Sequence, residues 1–87
     1  MKIQFSEAGW EQFLYWLEQD KKTIRKINKL LADIERNGHN GIGHPEPLKG
    51  NLSGFWSREI DEKNRLVYII ENDTITVIQC KNHYSDK

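Results

Sequence analysis

Apolar residues recur at helical spacing over the first third of the chain and at strand spacing over the last third. "KIQFS" alternates and predicts a short first strand, and Ser6 is placed to cap a helix with Glu7 in its first turn. Trp10, Phe13, Leu14 and Leu17 follow at i, i+3, i+4 and i+7, which gives that helix one apolar face. Asp20 breaks the chain and recaps it. A second helix is predicted from about residue 21 to residue 37, with Ile24, Ile27, Leu31 and Ile34 on one side and Gly38 at its stop.

The next stretch, "GHNGIGHPEPLKGN", holds four Gly and two Pro in fourteen residues and is expected to be irregular. Prolines at 45 and 47 push His44 and Glu46 towards extended backbone. Long loops inside small domains often carry function. Beyond it the period changes to two. "FWSREI", "RLVYIIE" and "ITVIQCK" read as three strands, separated by "DEKN" and by a tight turn at Asn72-Asp73. The order β-α-α-β-β-β makes an α+β domain, with two helices on one face of a small, twisted, mainly antiparallel sheet. Val67, Ile69, Ile75 and Val77 are expected on the other face, which then needs an occupant.

Composition narrows the class. Eighty-seven residues, 37% hydrophobic and 30% charged, make a single globular domain over residues 1–87 with a thin core. One cysteine excludes an internal disulfide framework. No stretch reads as a signal peptide or a membrane span, so a cytoplasmic protein with no membrane partner is expected. Thirteen basic and thirteen acidic residues cancel. That balance argues against a strong general nucleic-acid binder but is silent about a local site.

Three groupings could carry chemistry. His39, His44, Cys80 and His83 lack the tight paired spacing of zinc ligands, and Cys80 and His83 differ in strand parity, so no metal and no cofactor is expected. Lys22, Arg25, Lys26 and Lys29 form a basic stripe opposite the isoleucines, ordinarily a solvated face but able to contact phosphates. The sharpest set is Glu46, Lys49, Arg65, His83 and Tyr84. Glu46 is stiffened between two prolines, so its carboxylate is aimed. A carboxylate base, fixed cations and an imidazole are the parts required for attack of a ribose 2′-hydroxyl on its own phosphate. Each residue alone is more often an ordinary surface group.

"PEPLKGNLSGFWSREIDEKNRLVY" with the later "KNHY" closely resembles the YoeB (Txe) toxins of bacterial type II toxin–antitoxin pairs, within the RelE-like superfamily. The likeness covers nearly the whole chain. It implies a ribosome-dependent endoribonuclease that cuts messenger RNA in the ribosomal A site, leaves a 2′,3′-cyclic phosphate and is silenced by a YefM-type antitoxin. By the same resemblance Glu46 is the general base, Arg65 and Lys49 stabilise the phosphorane, His83 is the general acid and Tyr84 positions substrate. Arg58 falls at a further phosphate-binding position, and a homodimer is expected. Where family members often read "SRR", this chain reads "SRE", so Glu59 stands in place of a cation. The resemblance also gives the basic stripe a ribosomal contact, since a neutral enzyme need not capture RNA that the ribosome presents.

The alternative function is a non-catalytic RNA- or protein-binding module of the same fold. Strand parity separates the two. With a plain two-residue turn at Asn72-Asp73, Arg65 pairs with Cys80 and His83 falls on the opposite face from Arg65. Catalysis therefore requires a register shift of one, by a three-residue loop or a β-bulge, or a sharp bend after Cys80.

Overall fold

The computed structural model describes residues 1–83. β1 (Lys2–Phe5) leads into α1 (Glu7–Gln19), whose first turn is capped by Ser6 Oγ accepting from the Gly9 N–H at 3.1 Å. Asp20 ends α1, donating its N–H to the Trp16 carbonyl, and opens α2 (Lys21–Asn37) by accepting from the Lys22 N–H. Gly38 closes α2 in a positive-φ conformation suited to glycine. These boundaries agree with the local reading because caps are written within a few residues.

The sheet has five strands in the order β1-β5-β4-β3-β2. β2 (Glu46–Pro47), β3 (Trp56–Glu59), β4 (Arg65–Glu71) and β5 (Thr74–Gln79) run antiparallel in succession, while β1 pairs parallel with β5. The glycine- and proline-rich segment is not wholly irregular as expected. It contributes β2 and a single 3-10 turn at Gly50–Leu52. Pro47 is tolerated because β2 is an edge strand. Among the described residues, no helix is long and apolar enough to cross a membrane.

Ile27, Leu30, Leu31 and Ile34 of α2 pack against Leu66, Tyr68, Ile75, Val77 and Cys80 of the sheet. Ile75 and Val77 thus lie under the helices, contrary to the expectation that they face away. The two-residue turn pairs Ile70 with Ile75 and Tyr68 with Val77, and paired residues share a face. Val67, paired with Ser57, remains on the far side and is fully buried. Part of that side is covered by the chain itself, since a Cβ at Gly54 would lie 3.8 Å from Ile69 Cδ1.

α1 sits differently from its apolar stripe. Phe13 and Trp16 pack on the core, whereas Trp10, Leu14 and Leu17 are 41–45% exposed. Close approach of the helix at Gly9 selects the buried side: a Cβ there would lie 2.5 Å from the Val77 carbonyl oxygen. Gly9→Ala is therefore expected to destabilise the fold by about 1–3 kcal/mol through overpacking. On a free helix surface the same change stabilises by about 1 kcal/mol. Urea unfolding reads the sign, and a gain in stability would contradict this packing.

Candidate active site

The far face of the sheet carries the candidate chemistry in two lateral rows. Glu46 pairs with Ser57, Ser57 with Val67, and Val67 with Gln79. One step along, Glu59 pairs with Arg65. Alternation puts Ser57, Glu59, Arg65 and Val67 on one face, because Arg58, Leu66 and Tyr68 occupy the other. Glu46 and Arg65 lie two strands and two residues apart, so their Cα atoms are about 12 Å apart, a span that their side chains and one phosphodiester can fill. Glu46 and Lys49 are exposed and line one groove of about 310 Å³.

The required register shift is present. Asn72 and Asp73 form a two-residue turn, both with positive φ as a type I′ hairpin demands. The pairing then slips between Val67 and Tyr68, so that Val67 faces Gln79 while Tyr68 faces Val77. Ile78 is the additional residue, but beyond Val67–Gln79 the pairing does not run on as a plain ladder: the Arg65 N–H donates to the Asn82 carbonyl, and Lys81 Nζ lies 4.7 Å from the ring centroid of Tyr15 on α1. The chain also bends. The Cys80 N–H donates to Gln12 Oε1 at 2.7 Å and its carbonyl accepts from Trp16 Nε1 at 2.8 Å, so α1 draws both groups out of the ladder. Asn82 follows with φ of 67°, donates its N–H to Asn64 Oδ1 and accepts from the Arg65 N–H at 3.0 Å. His83, half-buried, starts from that point at the Arg65 edge. Tyr84, the remaining expected site residue, lies outside the described residues.

Arg65 is held by the β3–β4 turn. Its Nη1 donates to the carbonyls of Asp61 at 2.7 Å, Asn64 at 3.2 Å and Glu62 at 3.3 Å, and its Nη2 is 3.8 Å from Glu59 Oε2. The other oxygen of Glu59 bonds His44 Nδ1 at 3.1 Å. This His44–Glu59–Arg65 row was not anticipated. The only sequence trace of it is the acid that breaks the "SRR" pattern, and the pairing of residues 44 and 59 needed the fold.

Arg58 requires a correction. Its expected phosphate role is excluded by complete burial on the helix side. The guanidinium pairs with Asp33 and Tyr68 Oη and donates to the carbonyls of Gly38 at 2.7 Å, Ile42 at 2.9 Å and Asn40 at 3.1 Å. Strand parity turns residue 58 inward, where a cation must be fully partnered. Arg58 therefore pins the loop that leads from α2 to His44 and Glu46. It holds the Asp33 carboxyl below the ordinary carboxylate range, while burial pushes the Tyr68 hydroxyl up.

His39, His44 and Cys80 of the zinc reading have separate environments. His39 stacks on Trp56 with centroids 4.1 Å apart, His44 bonds Glu59, and Cys80 is buried with its thiol pushed up to about 12 by burial. Among the described residues, no group of three or more His, Cys, Asp or Glu is placed to hold a metal ion. Burial, and then the charge of Arg58, hold His39 below its ordinary 6.5. A base with a depressed folded-state value supports stability fully above the unfolded value and loses that support as pH falls below it. His39→Phe, which keeps the stack, is expected to lessen the fall in urea midpoint between pH 7.5 and pH 5.5. An equal fall in both proteins would remove His39 as a source of acid lability.

Lys22, Arg25 and Lys29 are exposed along the outer side of α2, and Lys26 is half-buried. They form a continuous basic stripe without joining the Glu46 groove.

Comparison with known proteins matches this architecture. Toxin YoeB of Escherichia coli K12 is 50% identical over 84 residues, which is 97% of this chain and all of that protein. A heterotetrameric YoeB–YefM toxin–antitoxin complex from Staphylococcus aureus contains a chain with TM-score 0.90 and 46% identity, covering 97% of this chain and 98% of that one. A YoeB dimer from the same organism gives 0.91 and 46%, with the same coverage. Residues 5–84 match the family of YoeB-like toxins as a whole. With that match, and with half of its residues shared with a named relative over nearly its full length, the chain belongs to the YoeB-like toxins of bacterial type II toxin–antitoxin systems.

Proposed function

We propose that the protein is an endoribonuclease toxin that cleaves translated messenger RNA in the ribosomal A site. The observation that supports this reading is the shared face of Glu46 and Arg65, to whose edge the chain returns after the Val67/Tyr68 bulge through the Asn82 carbonyl bonded to the Arg65 N–H. Glu46 accepts the proton of the ribose 2′-hydroxyl as that oxygen forms a bond to its own phosphorus. Arg65 and Lys49 stabilise the phosphorane charge. The bond from phosphorus to the 5′-oxygen breaks, and His83 donates a proton to the departing oxygen. The products are a 2′,3′-cyclic phosphate and a 5′-hydroxyl. Tyr84 positions the substrate.

The same reading supplies the partners. The ribosome presents the message, which offsets the lack of net positive charge, and the stripe of Lys22, Arg25, Lys26 and Lys29 contacts ribosomal RNA. A YefM-type antitoxin neutralises the toxin, supported by the staphylococcal complex. A homodimer is supported by the staphylococcal dimer and by the exposed Trp10, Leu14 and Leu17.

The test is end-group chemistry on programmed ribosomes. Cleavage should leave cyclic phosphate and 5′-hydroxyl ends and persist with a transition-metal chelator at constant magnesium. Products ending in 3′-hydroxyl and 5′-phosphate would sink the mechanism. The competing reading, a non-catalytic module that arrests translation by occupancy, predicts growth arrest without new message ends.

A further inference from the structure

Glu59 closes β3 directly across from Arg65, and its two oxygens are engaged in opposite directions. Oε1 meets His44 Nδ1 at 3.1 Å and Oε2 lies 3.8 Å from Arg65 Nη2. The carboxylate thus stands between an imidazole and a guanidinium, where an anion shared by both would be held.

The backbone makes this arrangement specific. The Glu59 N–H donates to the Gly43 carbonyl at 2.7 Å, which extends the β2–β3 pairing past β2 and sets His44 beside the carboxylate. Gly43 has φ of 80°, and a Cβ there would come 2.9 Å from Leu30 Cδ2. His44 itself adopts φ of 51°, not the extended backbone expected before Pro45; histidine is among the residues that tolerate this left-handed region. Gly43 is held against the core, while the His44 and Glu59 side chains that meet above it are exposed.

His44, Glu59 and Arg65 line a groove of about 630 Å³ that also borders Lys26 of α2 and Asp61 and Glu62 of the β3–β4 turn. Lys26 and Arg65 there face the three carboxylates of Glu59, Asp61 and Glu62. An RNA phosphate approaching Arg65 must compete with Glu59 for Nη2 and meets its negative charge at short range.

We propose that Glu59 is a positioning residue that restrains Arg65 from phosphate. This rests on the reading of Arg65 as a phosphate-binding group. Glu59 is kept ionised by the His44 hydrogen bond, and then by the charges of His44 and Arg65, which hold its carboxyl below the ordinary range.

The experiment measures the affinity of the full-length protein for programmed ribosomes whose message carries a 2′-deoxy nucleotide at the scissile position. At pH 7.5, Glu59→Gln is expected to bind about 4- to 20-fold more tightly than the parent. Glu59→Lys should gain more, and Glu59→Asp should return towards the parent. In cleavage assays the gain should appear in KM rather than kcat. Equal or weaker binding by Glu59→Gln would overturn the proposal. The nuclease reading fails separately, if Glu46→Gln still cleaves. An inactive Glu46→Gln beside an unaltered Glu59→Gln condemns the restraint alone.

Discussion

Glu46→Gln is expected to lower message cleavage by about 10²- to 10⁴-fold, the range that a positioned general base contributes. Its unfolding midpoint should stay close to that of the parent. Glu46 is exposed on an edge strand, and surface substitutions ordinarily move stability by less than about 0.5 kcal/mol. Glutamine keeps the shape and loses only the ability to take the proton. His83→Gln is expected to lose activity to a similar degree by withholding the proton from the 5′-oxygen. Arg65→Ala is a less clean test, because its guanidinium also ties down three carbonyls of the β3–β4 turn. Its loss of cleavage should come with a loss of stability. Quantifying message ends on programmed ribosomes, beside urea unfolding of the same preparations, separates the two effects. Cleavage by Glu46→Gln within tenfold of the parent would remove Glu46 as the base. Undiminished growth arrest by both inactive variants would favour the binding-module reading.

Arg58→Ala is expected to lower the free energy of unfolding by about 3–5 kcal/mol, the scale for breaking a buried ion pair from one side. For a domain of this size that is a drop of more than about 10 °C in Tm. The loss has two sources. Asp33 keeps its charge without its partner, and the carbonyls of Gly38, Asn40 and Ile42 lose the donors that fold that loop back on the sheet. Arg58→Lys should recover little, since one ammonium cannot reproduce a planar fork reaching acceptors on several sides. Thermal melts of both variants decide the matter, and a lysine variant within 1 kcal/mol of the parent would contradict the clamp. Activity should fall as well, because the same loop carries the chain to His44 and Glu46.

These expectations divide along what could be read before the fold was known. Ser6, Asp20 and Gly38 marked the helix ends correctly because each cap acts on backbone groups within four residues of itself. Ile27, Leu31 and Ile34 of the α2 stripe are buried as their spacing implied and Ile24 is half-buried, since a helix this amphipathic has only one face to bury. The need for a register shift was also legible: parity alone forbids Arg65 and His83 from sharing a face across a plain two-residue hairpin. Its place was not, because the slip opposite Val67 and Tyr68 and the bend after Cys80 occur where α1 takes the Cys80 backbone groups from the ladder.

Other features were misleading when taken one residue at a time. Trp10, Leu14 and Leu17 make an apolar stripe, yet the helix turns its Gly9 side inward because only there can it approach Val77. Arg58 has the chemistry of a phosphate ligand but lies on the inward parity of β3, so its charge is spent on a loop. By itself the sequence determined the elements, their order and the residue types available for chemistry, because hydrogen bonding and periodicity act over short stretches of chain. Only the tertiary structure decided which face each strand buries, where the register slips, and that Glu59 stands between His44 and Arg65. Those outcomes depend on contacts between segments far apart in the chain, whose depth and geometry no local pattern specifies.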